Sequence, residues 1–197
     1  MKMTRFEKRF VNRKNKSERN IKKLELAFEH IAIEKIKIVL ELGCGIGFVS
    51  QYLAETYNWR VYGTDYDEEQ IQIAAKLQPK IDHLSFQVED ATNLSFKDSS
   101  VDLVLSQNVF HHIPNWEDAI HETARVLRSR GYVIWLDLIF PKVVKSIFRA
   151  FIKNYGLYTI NDIKKTFKDS GFRTLFHEQS AHIPMRQHHF ILQLHNI

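Results

Sequence analysis

The chain is 197 residues long, 44% hydrophobic and 26% charged, with a formal charge of +5 and an isoelectric point near 9.2. This length holds one domain whose core needs neither disulfides nor a structural metal. No apolar run approaches the roughly 18 residues of a membrane span, and the single cysteine, Cys44, excludes an internal disulfide and a multi-cysteine metal centre.

Residues 1 to about 20 read as a charged, loosely ordered arm, followed by a helix through Leu24, Leu26, Phe28 and Ile31. Over the first 37 residues Lys and Arg clearly outnumber acids. That excess is either a solvated helix face or an attraction to RNA, an anionic membrane surface or an acidic substrate. The segment lacks the apolar stretch and cleavage site of a secretory leader, so a cytoplasmic home is expected.

From there the chain alternates. Ile36 to Leu42 reads as a β-branched strand, Phe48 to Tyr57 as a helix, Arg60 to Thr64 as a strand, and Glu68 to Leu77 as a helix stopped before Pro79. Leu84 to Val88 and Val101 to Ser106 are further strands, Asn115 to Leu127 is a helix, and Tyr132 to Leu138 is a buried strand. Helical patterns cover 142 to 154 and 160 to 169, before two last strands at Phe172 to Phe176 and His189 to Leu194. Such alternation predicts an α/β fold, a doubly wound, seven-stranded, mostly parallel sheet with ligands at the carboxyl ends of its strands. The last two strands have no helix between them and are expected to form an antiparallel C-terminal hairpin at the edge.

The most informative run is Val39-Leu40-Glu41-Leu42-Gly43-Cys44-Gly45-Ile46-Gly47-Phe48, an apolar strand that ends in an acid and breaks into alternating glycines. Glycines tolerate positive φ and let backbone lie against a ligand before a helix starts. A dinucleotide fold expects Gly-x-Gly-x-x-Gly; here the third glycine comes one residue early, at Gly47. The pattern resembles motif I of the S-adenosylmethionine (SAM) dependent class I methyltransferases, Glu/Asp-x-Gly-x-Gly-x-Gly. The resemblance extends from about Ile36 to Leu194, with residues 1–35 as basic arm and helix and 36–197 as the methyltransferase domain. The runs Asp98 to Val104 and Glu122 to Arg128 are similar to the small-molecule enzymes grouped with ubiquinone and menaquinone biosynthesis. Where that group has Lys-Pro-Gly-Gly before strand five, this chain has Arg128-Ser129-Arg130-Gly131.

The resemblance implies SAM as cofactor, held by Glu41, Gly43, Cys44, Gly45, Gly47, Asp65, Tyr66, Asp90, Ala91 and Gln107. Asp65 ends the second strand 18 positions beyond Gly47, close to the roughly 20 expected of an acid that reads a ribose; as a helix cap, Asp67 fits better. In the resembling family an acid at Asp90 accepts from the adenine amino group, and the N–H of Ala91 meets a ring nitrogen; alone, Asp90 reads only as a turn residue. Tyr66 either lays its ring against adenine or packs half-buried. Glu41 holds backbone or the ligand's ammonium group, or is purely structural. Cys44 reads as a small residue that fits the loop rather than a nucleophile.

The methyl of SAM is already electrophilic, so the protein chiefly has to align an acceptor and exclude water. Ser106 to Pro114 should run along the pocket mouth, where Gln107 touches cofactor and His111 or His112 takes a proton from the acceptor or merely shapes the pocket. The carboxylate of metal-assisted catechol enzymes is missing at Ser106, so no metal is expected. The expected acceptor is a small molecule. RNA methylation through the basic arm and SAM binding without turnover are the alternatives. The amphipathic pattern from Lys142 to Lys153 is either core packing or a face for a lipophilic acceptor or an anionic bilayer, and Phe140 and Pro141 open a region suited to a lid.

Overall fold

A computed structural model describes residues 14–143, 145, 155–180 and 186–195, with side chains from residue 17 onward. Helix α1 spans Lys14–Phe28. After a 3-10 turn at Ile33–Lys35 come β1 (Ile38–Leu42), α2 (Phe48–Tyr57), β2 (Arg60–Asp65), α3 (Glu68–Leu77), β3 (Leu84–Val88) and β4 (Val101–Gln107). A second 3-10 turn at Phe110–His112 leads to α4 (Trp116–Val126), β5 (Leu127–Ile139), α5 (Ile160–Asp169), β6 (Phe172–Ser180) and β7 (Arg186–Leu194).

The seven strands form one sheet in the order β3-β2-β1-β4-β5-β7-β6. The first five run parallel, and β7 pairs antiparallel with both β5 and the edge strand β6. The expected doubly wound sheet with a C-terminal hairpin is therefore what the chain forms. Because successive strand residues face opposite sides, the core divides in two. Val39, Leu103, Leu105 and Ile134 pack on one face with Leu24, Phe28, Val49 and Leu53 from α1 and α2. Leu40, Val104, Val133 and Trp135 pack on the other with Ile120 and Phe167 from α4 and α5.

Local chemistry sets several boundaries. Asp67 caps α3, its Oδ1 accepting from Glu69 N at 3.1 Å, and Thr159 with Asp162 forms a capping box on α5.

Four expectations are corrected. The loosely ordered arm does not reach residue 20, because the helix already begins at Lys14; it ends at Phe28, so Ile31 lies outside it, and residues 1–13 lie outside the described residues. Strand β1 begins at Ile38, two residues late, where Asp102 Oδ2 accepts from the backbone N–H groups of Lys37 and Ile38 at 3.0 and 2.9 Å. Leu127 opens β5 rather than closing α4: its backbone is extended and it pairs with Val101, with a register shift before Leu103 meets Tyr132. Strands β6 and β7 are both longer than expected, since the polar residues His177, Glu178 and Gln179 continue the ladder opposite Phe190, His189 and His188. The amphipathic stretch at 142–154 falls almost wholly outside the described residues.

Candidate active site

The carboxyl ends of β1, β2, β3 and β4 meet around the glycine loop. Gly43, Gly45 and Gly47 hold φ of +68°, +56° and +82°. A Cβ on Gly43 would lie 2.3 Å from Val109 Cγ2, and one on Gly47 2.5 Å from Phe86 Cε1. These two positions demand glycine on both conformational and steric grounds. The loop is pinned from outside: Cys44 N donates to Thr64 O at 2.8 Å, and Gln78 Nε2 donates to Ile46 O at 2.7 Å. Burial, with the charges of Glu41 and Asp65, pushes the Cys44 thiol well up, which agrees with a space-filling residue rather than a nucleophile.

Glu41 lies beneath the loop, 4% exposed, and accepts a hydrogen bond from Ser50 Oγ on α2. Burial, with the nearby Asp65 charge adding to it, pushes Glu41 up to about 7 even though the Ser50 hydrogen bond opposes the shift. A carboxyl raised above its unfolded value binds protons more tightly when folded. Its contribution to stability is full below the ordinary value near 4.5 and is lost as pH rises through about 7. The ligand-free protein should therefore lose about 3 kcal/mol over that window, a loss that Glu41→Gln removes. Denaturant unfolding of both forms near pH 5 and pH 8 checks this; parallel pH dependence would contradict it.

Asp65 closes β2 with its side chain turned to the loop. Its Oδ2 accepts from Gly45 N at 3.0 Å and its Oδ1 from Asp67 N at 2.9 Å. Two sequence-distant turns are thus tied to one buried carboxylate. Beside it Tyr66 is 50% exposed, and Val88, which pairs with Asp65 at the end of β3, is 49% exposed. Val88 was not among the expected site residues, because exposure at a strand's carboxyl end is not visible in the sequence. Asp90 is exposed, and its Oδ1 accepts from Thr92 N and Oγ1 at 2.9 and 2.7 Å. Ala91 follows it, partly buried.

Gln107 ends β4, and its Nε2 donates to the Asn20 carbonyl of α1 at 3.1 Å. Its Oε1 is buried without a hydrogen-bond partner. Nearby, Lys23 Nζ donates to Gln187 Oε1 at 2.6 Å and Gln187 Nε2 to Asn108 Oδ1 at 2.8 Å. Helix α1 therefore closes over the ends of β4 and β7. Its other flank is held by Glu25, which accepts from Tyr52 and Tyr57 of α2 at 2.6 and 2.7 Å.

Beyond Asn108 the chain turns tightly, with Val109 lying over Gly43. That contact brings the Phe110–His112 turn onto the glycine loop. The turn is organised by Asp137 of β5, which is wholly buried. Asp137 Oδ2 accepts from Val109 N at 2.9 Å, Phe110 N at 2.6 Å and His111 N at 3.4 Å, and Oδ1 from Leu138 N at 2.6 Å. The same Oδ1 binds His111 Nδ1. With Nδ1–H donating to a carboxylate, the lone pair is on Nε2, the arrangement that makes imidazole a proton acceptor. The His112 ring lies against His111, tilted by 42° with centroids 4.0 Å apart, and 5.7 Å from the Tyr155 ring. Tyr158 is buried beside Asp137, and burial first, then that carboxylate, pushes its phenol well up. The backbone of the same stretch grips the turn, with Gly156 N donating to His111 O at 3.0 Å. Asp137 was missed from the sequence; a lone acid within the apolar run Trp135-Leu136-Asp137-Leu138 was the available sign.

A sequence profile described as a methyltransferase domain matches residues 40–135, from the middle of β1 to the middle of β5. The chain belongs to the class I SAM-dependent methyltransferases. It is 36% identical over 99 residues to the 2-methyl-6-phytyl-1,4-hydroquinone methyltransferase of Synechocystis, covering 50% of this chain and 31% of that protein. It is 30% identical to the sarcosine/dimethylglycine N-methyltransferase of Halorhodospira halochloris, over 73% of this chain and 54% of the relative. The chain thus spans about a third to a half of the length of these curated relatives. A SAM-dependent methyltransferase structure from Methanosarcina mazei superposes with a TM-score of 0.69 at 20% identity, covering 87% of this chain and 98% of that one, a likeness of fold.

SAM is the cofactor of this class, and the residues present fit it. The glycine cradle has no room for a Cβ at Gly43 or Gly47, a carboxylate ends β2, and Gln107 Oε1 is a buried acceptor lacking a partner at the same rim.

Proposed function

We propose that this chain transfers the methyl group of SAM to a small-molecule acceptor, with His111 as the base that takes the acceptor's proton. The observation that carries this reading is the hydrogen bond between His111 Nδ1 and buried Asp137, in a turn that Val109 seats on the glycine loop.

Bound SAM supplies a sulfonium-activated methyl group that an aligned nucleophile attacks in line. The chain's own residues do the rest. Gly43, Cys44, Gly45 and Gly47 line the methionine end, and Glu41 faces its ammonium group. Because a cation beside Glu41 favours the carboxylate, binding draws a proton off that group below about pH 7. Asp65 holds the ribose hydroxyls; a carboxylate accepts about four bonds, so the oxygens that pin Gly45 and Asp67 also serve the sugar. Tyr66 and Val88 offer apolar surface to the purine, whose edge meets Asp90 and the N–H of Ala91. Gln107 shapes the rim below α1.

At the acceptor, Asp137 fixes the ring of His111 and offsets the charge the ring acquires with the proton. His112 packs behind it. Residues 36–197 form the methyltransferase domain, with α1 as its cover. The names of the Synechocystis and Halorhodospira relatives, one for a phytyl hydroquinone and one for small amines, support a small-molecule acceptor, and the former makes a lipophilic one the first class to try. A cytoplasmic setting is consistent with the single buried cysteine.

The test is methyl transfer from labelled SAM to a panel of phenols, hydroquinones, amines and fatty acids, with bulk RNA as a further arm. Labelled small-molecule product is expected. Label confined to RNA would overturn the assignment, and SAM binding without any product across the panel would favour a non-catalytic SAM-binding protein.

A further inference from the structure

The opposite rim of the sheet holds a cavity of about 520 Å³ whose lining includes Lys35, Asp102, Arg128, Arg130, Arg173 and Gln193. It lies at the amino ends of β1, β4 and the core of β5, about 16 Å from the glycine loop at 3.3 Å per residue along the five residues of β1. The methyl-transfer site does not reach it.

Its lining carries four permanent cations, Lys35, Arg128, Arg130 and Arg173, against one acid. That acid is already committed: Asp102 Oδ1 accepts from Arg128 Nη1 at 2.7 Å, while Oδ2 anchors the start of β1. Lys35, Arg130 and Arg173 are left without a matching carboxylate among the lining residues. Arg173 is braced rather than neutralised, its Nη2 donating to Gln193 Oε1 at 2.9 Å, and Gln193 Nε2 in turn donates to the Arg130 carbonyl at 3.2 Å.

Arg130 is the most telling residue. It holds φ of +62°, a left-handed conformation that glycine adopts freely and a residue with a Cβ does not. The next residue is glycine, and a Cβ there would lie 2.8 Å from Arg128 O, so the turn needs one glycine and carries an arginine beside it. Among the described residues the guanidinium has no ion-pair partner.

We infer that this cavity is a second ligand site, built for the diphosphate group of a small organic molecule. Guanidinium forks match phosphate oxygens in pairs, three unmatched cations suit a ligand bearing two or three negative charges, and the volume is that of a small-molecule pocket rather than a single-ion nest. Ile36, Tyr132 and Leu194 supply apolar wall for the organic remainder.

The test is calorimetric titration at low salt of the whole chain with inorganic pyrophosphate and with ADP, in the wild type and in Arg130→Gly and Arg173→Gln. Pyrophosphate should bind in the micromolar range and weaken with salt, and ADP should bind at least as tightly. Each variant should weaken both by about tenfold or more, the loss of one charge-assisted contact. Arg130→Gly removes the left-handed strain, so its melting temperature should be unchanged or higher and its SAM affinity unaltered, which separates a lost ligand contact from a damaged fold. Binding weaker than millimolar, affinity undiminished in Arg130→Gly, or an RNA oligomer binding tighter than ADP would each overturn the inference.

Discussion

His111→Ala is expected to lower kcat by about 10²- to 10⁴-fold, the usual worth of a positioned base, while SAM binds within about twofold of wild type. His111 is linked to the glycine loop through Val109 and the backbone of its own turn, so truncating the imidazole leaves the cradle intact. Asp137→Asn is the sharper variant. An asparagine whose oxygen still accepts from the three N–H groups at 109–111 turns its amide toward His111 Nδ1. The ring must then accept there, its proton moves to Nε2, and the base is lost. The same amide opposes Leu138 N, which loses its acceptor, at about 1–3 kcal/mol of stability. Steady-state kinetics should show kcat lowered in both variants with the KM for SAM little changed. If both keep kcat within threefold of wild type, His111 shapes the pocket and does not move the proton.

The second large effect is expected at Asp65. Asp65→Ala should weaken SAM binding by tenfold or more, at least about 1.4 kcal/mol for a lost paired contact. It should also destabilise the ligand-free protein by about 1–3 kcal/mol, because Gly45 N and Asp67 N lose their acceptor in a buried corner. The two losses have separate readouts, titration for the ligand and denaturant midpoint for the fold. A stability loss with unchanged affinity would reduce Asp65 to a loop brace.

The parallel half of the fold was legible because its signals are local. Short, nearly continuous apolar and β-branched runs, buried on both faces, mark β1 and β4, and Asp67 with Glu68 and Glu69 starts α3 at the expected residue. The glycine spacing, with Asp65 in register after it, separated this loop from a dinucleotide fingerprint. What escaped were contacts between residues far apart in the chain. Nothing near Asn20 or Lys23 signals that α1 will meet Gln107 and Gln187 across 87 and 164 positions. The helix start at Lys14 was hidden by its charge, since a Lys- and Arg-rich run reads as solvated arm until a core patch formed by Leu24, Ala27 and Phe28 anchors it. Asp137 sat inside a strand whose apolar neighbours mark it as core, and only the turn folded over it reveals that its oxygens are fully engaged. The polar ends of β6 and β7 looked like loop because His177, Glu178 and Gln179 lie on the edge strand, while His188 and His189 are polar residues buried in the interior strand β7.

Calorimetric titration of the purified chain with SAM and with its demethylated product bears most directly on the claim that this corner of the sheet is an adenosyl site. One saturable binding event per chain is expected for both ligands, weaker in Asp65→Ala. The absence of heat and of any thermal shift with either ligand, up to millimolar concentration, would contradict it.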